Sequence, residues 1–137
     1  MVLITLCMNT ATKYQLTNSY SLAQRVNSDV NSQVKYKTDL EQYNRPEFWV
    51  EAGAFGDCED YALLKRQVLL KEGWPQDKQF LACCWCETGG YHCVLIVDTD
   101  KGFFVLDNRY SWPMQPSMLP YKWDNALKGG VWCELSF

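Results

Sequence analysis

Gly56-Asp57-Cys58-Glu59-Asp60-Tyr61-Ala62, residues 56–62, reads as the start of a helix with a thiol at its tip. Asp57 can accept hydrogen bonds from the free N–H groups of a first helical turn, Asp60 follows three residues on, and Tyr61, Leu64 and Val68 then recur at helical spacing. The pattern predicts a helix from about Cys58 to about Gly73, a residue able to take the left-handed conformation at a helix end, with Pro75 just beyond to prevent continuation. In the first turn the unpaired N–H groups and the helix dipole favour negative charge, which lowers a thiol's pKa and suits an oxyanion. Asp57, Glu59 and Asp60 act the other way, because nearby carboxylates disfavour a thiolate. A positive partner is needed, and the chain contains one histidine, His92.

Upstream, Leu22, Val26, Val30 and Val34 lie four apart, which predicts an N-terminal helix over residues 19–36. Residues 37–55 hold Pro46, Gly53 and the aromatics Tyr43, Phe48 and Trp49, and read as an ordered loop. Downstream the period changes to two. Residues 79–86, 92–98 and 102–108 are short runs rich in β-branched, aromatic and thiol side chains, as expected of antiparallel strands. Residues 112–118, with Pro113 and Pro116, read as an extended loop, and residues 131–137 as a last strand. The fold class is therefore α+β, a helix packed on an antiparallel sheet, and 137 residues suffice for one domain spanning residues 1–137.

His92 opens a strand whose hairpin turns around Thr99, Asp100 and Lys101. A two-residue loop, at Thr99-Asp100 or at Asp100-Lys101, puts His92 and Asp107 on the same face of the sheet. In the first register they are directly opposite, with Cβ atoms about 5 Å apart. A three-residue loop would separate them. Cysteine, histidine and aspartate in that order supply what nucleophilic catalysis asks for: a thiol, a base, and a group that holds the base in the right tautomer.

Composition narrows the field. With 47% hydrophobic residues, 21% charged residues and a net charge of -3, the chain is an ordinary globular protein with no basic surface to track a nucleic-acid backbone. No apolar run approaches the roughly 20 residues that cross a bilayer. Residues 1–8 (MVLITLCM) lack a positive start, a long apolar core and a small-residue cleavage site, so the expectation is a chain without a signal peptide, cytoplasmic as encoded. Seven cysteines form an odd set, and Cys83, Cys84, Cys86 and Cys93 fall inside strand-like runs, where they read as buried free thiols of a reducing compartment. Cys84 and Cys86 share one strand face while Cys83 points the other way, which is no zinc knuckle.

Residues 56–62, followed by Gly73-Trp74-Pro75, His92-Cys93-Val94-Leu95 and Val105-Leu106-Asp107-Asn108, resemble the bacterial transglutaminase-like cysteine peptidases. Asp39-Leu40-Glu41-Gln42-Tyr43 and Phe48-Trp49 are similar to that family's lead-in, so the likeness runs from about Val26 to about Trp132. The resemblance implies a papain-like, transglutaminase-like core. It implies a triad of Cys58 as nucleophile, His92 as general base and Asp107 as the orienting group, acting on peptide bonds of a protein substrate. It also implies calcium beside the nucleophile, on Asp57 and Glu59, and an indole N–H from Trp49 near the oxyanion. The best-known members are periplasmic, whereas the short N-terminal part resembles compact phage or prophage versions, so periplasmic and virion-associated settings stand beside the cytoplasmic one.

Blander readings exist for each residue. A cysteine at a helix start is commonly a small core residue, and a strand histidine a satisfied core group. Asp57 is explained as a helix cap and Glu59 as a first-turn acid, and two carboxylates fall short of the six to eight oxygens calcium takes. Trp49 serves equally as an aromatic core plug. Three functions compete: amide hydrolysis, transglutaminase-type acyl transfer to an amine, and a non-catalytic phage or virion binding module with the same fold.

Overall fold

Leu22, Ala23, Val26 and Val30 line one face of an amphipathic helix and are all buried. In the computed structural model, which describes residues 13–36 and 55–137 (Phe55 and Gly56 by backbone alone), this helix is α1, Ser19–Gln33. It stops three residues short of the expected end: Val34 turns extended and leads into a two-residue strand, β1 (Lys35–Tyr36), parallel to β2 (Phe55–Gly56). The second helix, α2 (Cys58–Lys71), starts where Asp57 and Asp60 cap each other reciprocally, with the Asp57 N–H 3.3 Å from Asp60 Oδ2. It ends as its sequence predicts. Gly73 takes a positive φ of 90°, the Trp74 N–H returns to the Leu69 carbonyl, and the Trp74 ring is buried beneath.

Five antiparallel strands follow: β3 (Gln79–Trp85), β4 (Tyr91–Thr99), β5 (Gly102–Leu106), β6 (Lys122–Lys128) and β7 (Val131–Glu134), in the spatial order β5-β4-β3-β6-β7. Leu81, Leu95, Val97, Phe104 and Leu106 face the helices and form the main core with them. The opposite face carries Ala82, Val94, Ile96, Val105 and Ala126, covered by Leu119 and Leu135 and flanked by Tyr110, Tyr121 and Trp123. Burial on both faces makes β4 apolar along nearly its whole length, where the sequence reading expected a period of two.

Four further features depart from the sequence reading. Strand β6 escapes a propensity reading because Asp124 and Asn125 sit inside it, and its register on β3 slips between Cys83 and Cys84. The Gly129-Gly130 pair, with φ of 58° and 79°, is the readable signal of the β6–β7 hairpin. In residues 112–118 Met114 bridges Val105 and residues Pro116–Met118 form a short 3₁₀ turn, while the last strand ends at Glu134. Finally, Cys83 and Cys93, expected as free thiols, form a disulfide, since the β3–β4 register sets them directly opposite with Cα atoms 4.1 Å apart. Cys58, Cys84, Cys86 and Cys133 are free. No helix among the described residues is long and apolar enough to cross a membrane.

Candidate active site

Cys58 occupies the first position of α2 and is buried, packed against Cys83 and Cys93. Its thiol lies 3.1 Å from Glu59 Oε2, as donor, and its sulfur also accepts from the Cys93 backbone N–H. The Cys83–Cys93 spacing is that of a non-hydrogen-bonded antiparallel pair, so the backbone groups of Cys93 point away from β3, past the last β4–β5 pair at Leu95 and Leu106. The sulfur therefore stands at the open edge of β4. Burial first, and then the Glu59 carboxylate, raise the thiol pKa far above its ordinary value, against the lowering effect of the Cys93 N–H. The carboxylates act as the sequence implies, through Glu59 and then Asp57, and burial, which the sequence did not announce, contributes the largest effect.

His92 and Asp107 are brought together. The hairpin loop is Asp100-Lys101, closed by the Thr99–Gly102 pair, so the two side chains share a face diagonally, and His92 Nε2 lies 2.8 Å from Asp107 Oδ1. Both are buried, Asp107 completely. Burial works against the Asp107 carboxylate, yet the hydrogen bond and charge of His92, then the Tyr121 hydroxyl and the Arg109 N–H, outweigh it and hold the carboxyl below its ordinary range. With Nε2 committed to Asp107, Nδ1 is the ring nitrogen left for a second partner. The pleat sets His92 with Val94 and Ile96 on the face away from the helices and Cys93 on the face toward them. The Cys58 sulfur packs with Cys83 and Cys93 on the helix side of the sheet, and its link toward His92 is the backbone N–H of the adjacent residue, Cys93.

Several neighbours are absent from the sequence reading. The Tyr121 hydroxyl donates to Asp107 Oδ2 at 2.5 Å, and its ring meets His92 edge-on at 5.6 Å. Arg109 Nη1 lies 3.1 Å from the Tyr121 oxygen, and Arg109 is itself paired with Glu87. From α1, Asn31 Nδ2 donates to the carbonyls of Asp107 and Tyr110, and Asn27 Nδ2 to those of Tyr110 and Ser111, tying the segment after β5 to the helix. Behind them, fully buried Lys65 is pushed down to about 7 by burial, with the charge of Asp107 opposing. No local pattern announces Tyr121, which lies 14 residues from Asp107 in an aperiodic stretch. The two asparagines sit four apart along α1 on the polar flank of its apolar stripe, a spacing that could have singled them out.

Cys84 is directly opposite His92 in the ladder. It is wholly buried, one residue from the end of β3, and burial raises its thiol pKa. Asp57 and Glu59 flank Cys58, as the sequence says, but no group of three or more His, Cys, Asp or Glu side chains that could hold a metal ion exists among the described residues. Trp49 lies outside the described residues.

Residues 6–136 match the model of a family described as bacterial transglutaminase-like cysteine proteinase BTLCP. Among solved structures the chain is similar to calcium-bound LapG of Legionella pneumophila, with a TM-score of 0.72 and 24% identity over 89% of this chain and 71% of that one. The EGTA-treated form of LapG gives a TM-score of 0.68 and 25% identity over 83% of this chain and 66% of that one. A further LapG structure gives 0.67 and 25% over 82% and 66%. The chain thus spans between 66% and 71% of the length of these LapG chains. No curated protein matches it.

Proposed function

The chain belongs to the bacterial transglutaminase-like cysteine proteinases, and from that premise we propose that it cleaves an amide bond in a protein substrate, with Cys58 as nucleophile, His92 as general base and Asp107 as the group that orients His92. One observation carries the assignment: the buried His92–Asp107 pair, 2.8 Å apart, sits one residue from the backbone N–H that holds the Cys58 sulfur. In this reading Nδ1 of His92 takes the thiol proton, and the sulfur attacks the scissile carbonyl carbon. The C–N bond breaks, the amine leaves with the proton from His92, and water attacks the thioester to release the acid and restore the thiol. The first-turn N–H groups of α2 face the developing oxyanion, with the Trp49 indole as a further donor.

We also propose calcium at Asp57 and Glu59, a reading supported by the calcium-bound and EGTA-treated forms of LapG. Carboxylate oxygens are the right donors for that ion, although two side chains supply only part of the six to eight oxygens it takes. When bound there, calcium neutralises the acid that otherwise faces the thiol.

One observation favours a second reading, a non-catalytic module: the Cys58 thiol is buried and its pKa is raised. Substoichiometric iodoacetamide, followed by peptide mass spectrometry, separates the two. An enzyme is expected to label at Cys58 ahead of the exposed Cys133, with Cys58→Ala removing that label and keeping the fold. Label spread over Cys133 and Cys86, unchanged in Cys58→Ala, contradicts the catalytic reading. Adding a primary amine to an ester substrate and weighing the products distinguishes hydrolysis from transfer.

A further inference from the structure

The Asp107 carboxylate is completely buried, so each of its oxygens needs a donor. Oδ1 faces His92 Nε2 at 2.8 Å and the Arg109 backbone N–H at 2.9 Å. Oδ2, the oxygen His92 leaves free, receives the Tyr121 hydroxyl at 2.5 Å. The Tyr121 ring then stands edge-on to the imidazole, with centroids 5.6 Å apart and planes inclined at 68°. The phenol is anchored from behind: Arg109 Nη1 donates to its oxygen at 3.1 Å, the Arg109 guanidinium lies 5.5 Å from the Tyr121 ring centroid, and Glu87 pairs with that guanidinium.

We propose that Tyr121 is a positioning residue of the hydrolytic site, holding Asp107 by its second oxygen and bracing the His92 ring, with Arg109 and Glu87 fixing the phenol. The inference rests on the triad proposed above. A carboxylate held by one oxygen can turn about its side chain; held by both, it presents Oδ1 to His92 in a single orientation and keeps the proton on Nε2. The hydroxyl also shares the carboxylate's negative charge. Without it, more of that charge falls on the Oδ1–Nε2 hydrogen bond, which tightens. The other charged or titratable groups around the pair are Lys65 on α2, Cys84 and Cys86 on and beyond β3, and Glu87 and Arg109 at the rim.

Because the chain contains one histidine, imidazole ¹⁵N NMR reports on His92 without ambiguity. In Tyr121→Phe the Nε2–H proton, bonded to Asp107, is expected to move downfield, because the carboxylate charge is no longer shared with the phenol and that bond tightens. Turnover of p-nitrophenyl acetate, with Cys58→Ala as the blank, is expected to show kcat falling about 10-fold with KM nearly unchanged, since the lost contact never touches substrate. Arg109→Gln removes one anchor of the phenol but keeps its hydroxyl, and is expected to move the same proton resonance in the same direction by less. An Nε2–H resonance unchanged in both variants overturns the proposal. A resonance that moves while wild type and Cys58→Ala turn over the ester equally upholds the positioning contact and overturns the triad instead.

Discussion

The two ends of the proposed triad are built on opposite principles. Around Asp107 the hydrogen bonds among the described residues stabilise the carboxylate against the cost of burial, with an imidazole and a backbone N–H on one oxygen and a phenol on the other, while two asparagines from α1 clamp the backbone that follows. Around Cys58 the balance is reversed, with burial and a carboxylate 3.1 Å from the sulfur both favouring the neutral thiol. The comparison teaches that the proposed base is organised in the resting fold, while the proposed nucleophile is held in its neutral form first by burial and then by its own sequence neighbour.

Breaking the well-bonded end should have the largest effect. Asp107→Asn keeps the shape but offers His92 an amide in place of a carboxylate. Turnover of p-nitrophenyl acetate is expected to drop on the order of 10³-fold or more, as when a triad base loses its tautomer. A loss below about 10-fold would show that Asp107 is scaffold alone.

Lys65 tests the same end through stability. Its folded pKa, about 7, lies below the roughly 10.4 of an unfolded lysine, so between those values the unfolded chain binds the extra proton and stability rises with pH. Urea melts at pH 7 and pH 9 should show a gain on the order of 1–2 kcal/mol from this group. The gain should vanish in Lys65→Met; equal pH dependence in both proteins would mean the ammonium is solvated.

The smallest effect sharpens the other end. In calcium-free buffer Glu59→Gln removes a carboxylate that raises the Cys58 pKa, and alkylation of Cys58 by iodoacetamide near pH 8 should quicken by about 3- to 10-fold. A slower reaction would show that Glu59 activates the sulfur rather than restraining it.

How much of this was legible in the sequence follows from what kind of interaction built each part. The α2 boundaries were written locally, in the Asp57–Asp60 cap and the Gly73-Trp74-Pro75 stop, and the structure reproduces both. The His92–Asp107 pairing was legible because a two-residue hairpin loop converts sequence distance into a shared face. The Cys83–Cys93 disulfide was misread because a strand's composition does not state its register: only the β3–β4 pairing shows that the two thiols are opposite. Tyr121 and Arg109 reach the site through chain crossings that leave no periodic trace. Likewise, β6 is a strand because β3 and β7 flank it rather than because its residues prefer one.

The most direct measurement is the rate of Cys58 alkylation by iodoacetamide as a function of pH, in the wild-type protein with calcium and in His92→Ala. The account predicts a wild-type plateau near neutral pH, from a thiol that gives its proton to His92, which disappears in the variant and leaves a single rise at alkaline pH. Superimposable profiles would mean that the sulfur and the imidazole do not communicate, and would contradict the assignment of Cys58 and His92 to one catalytic pair.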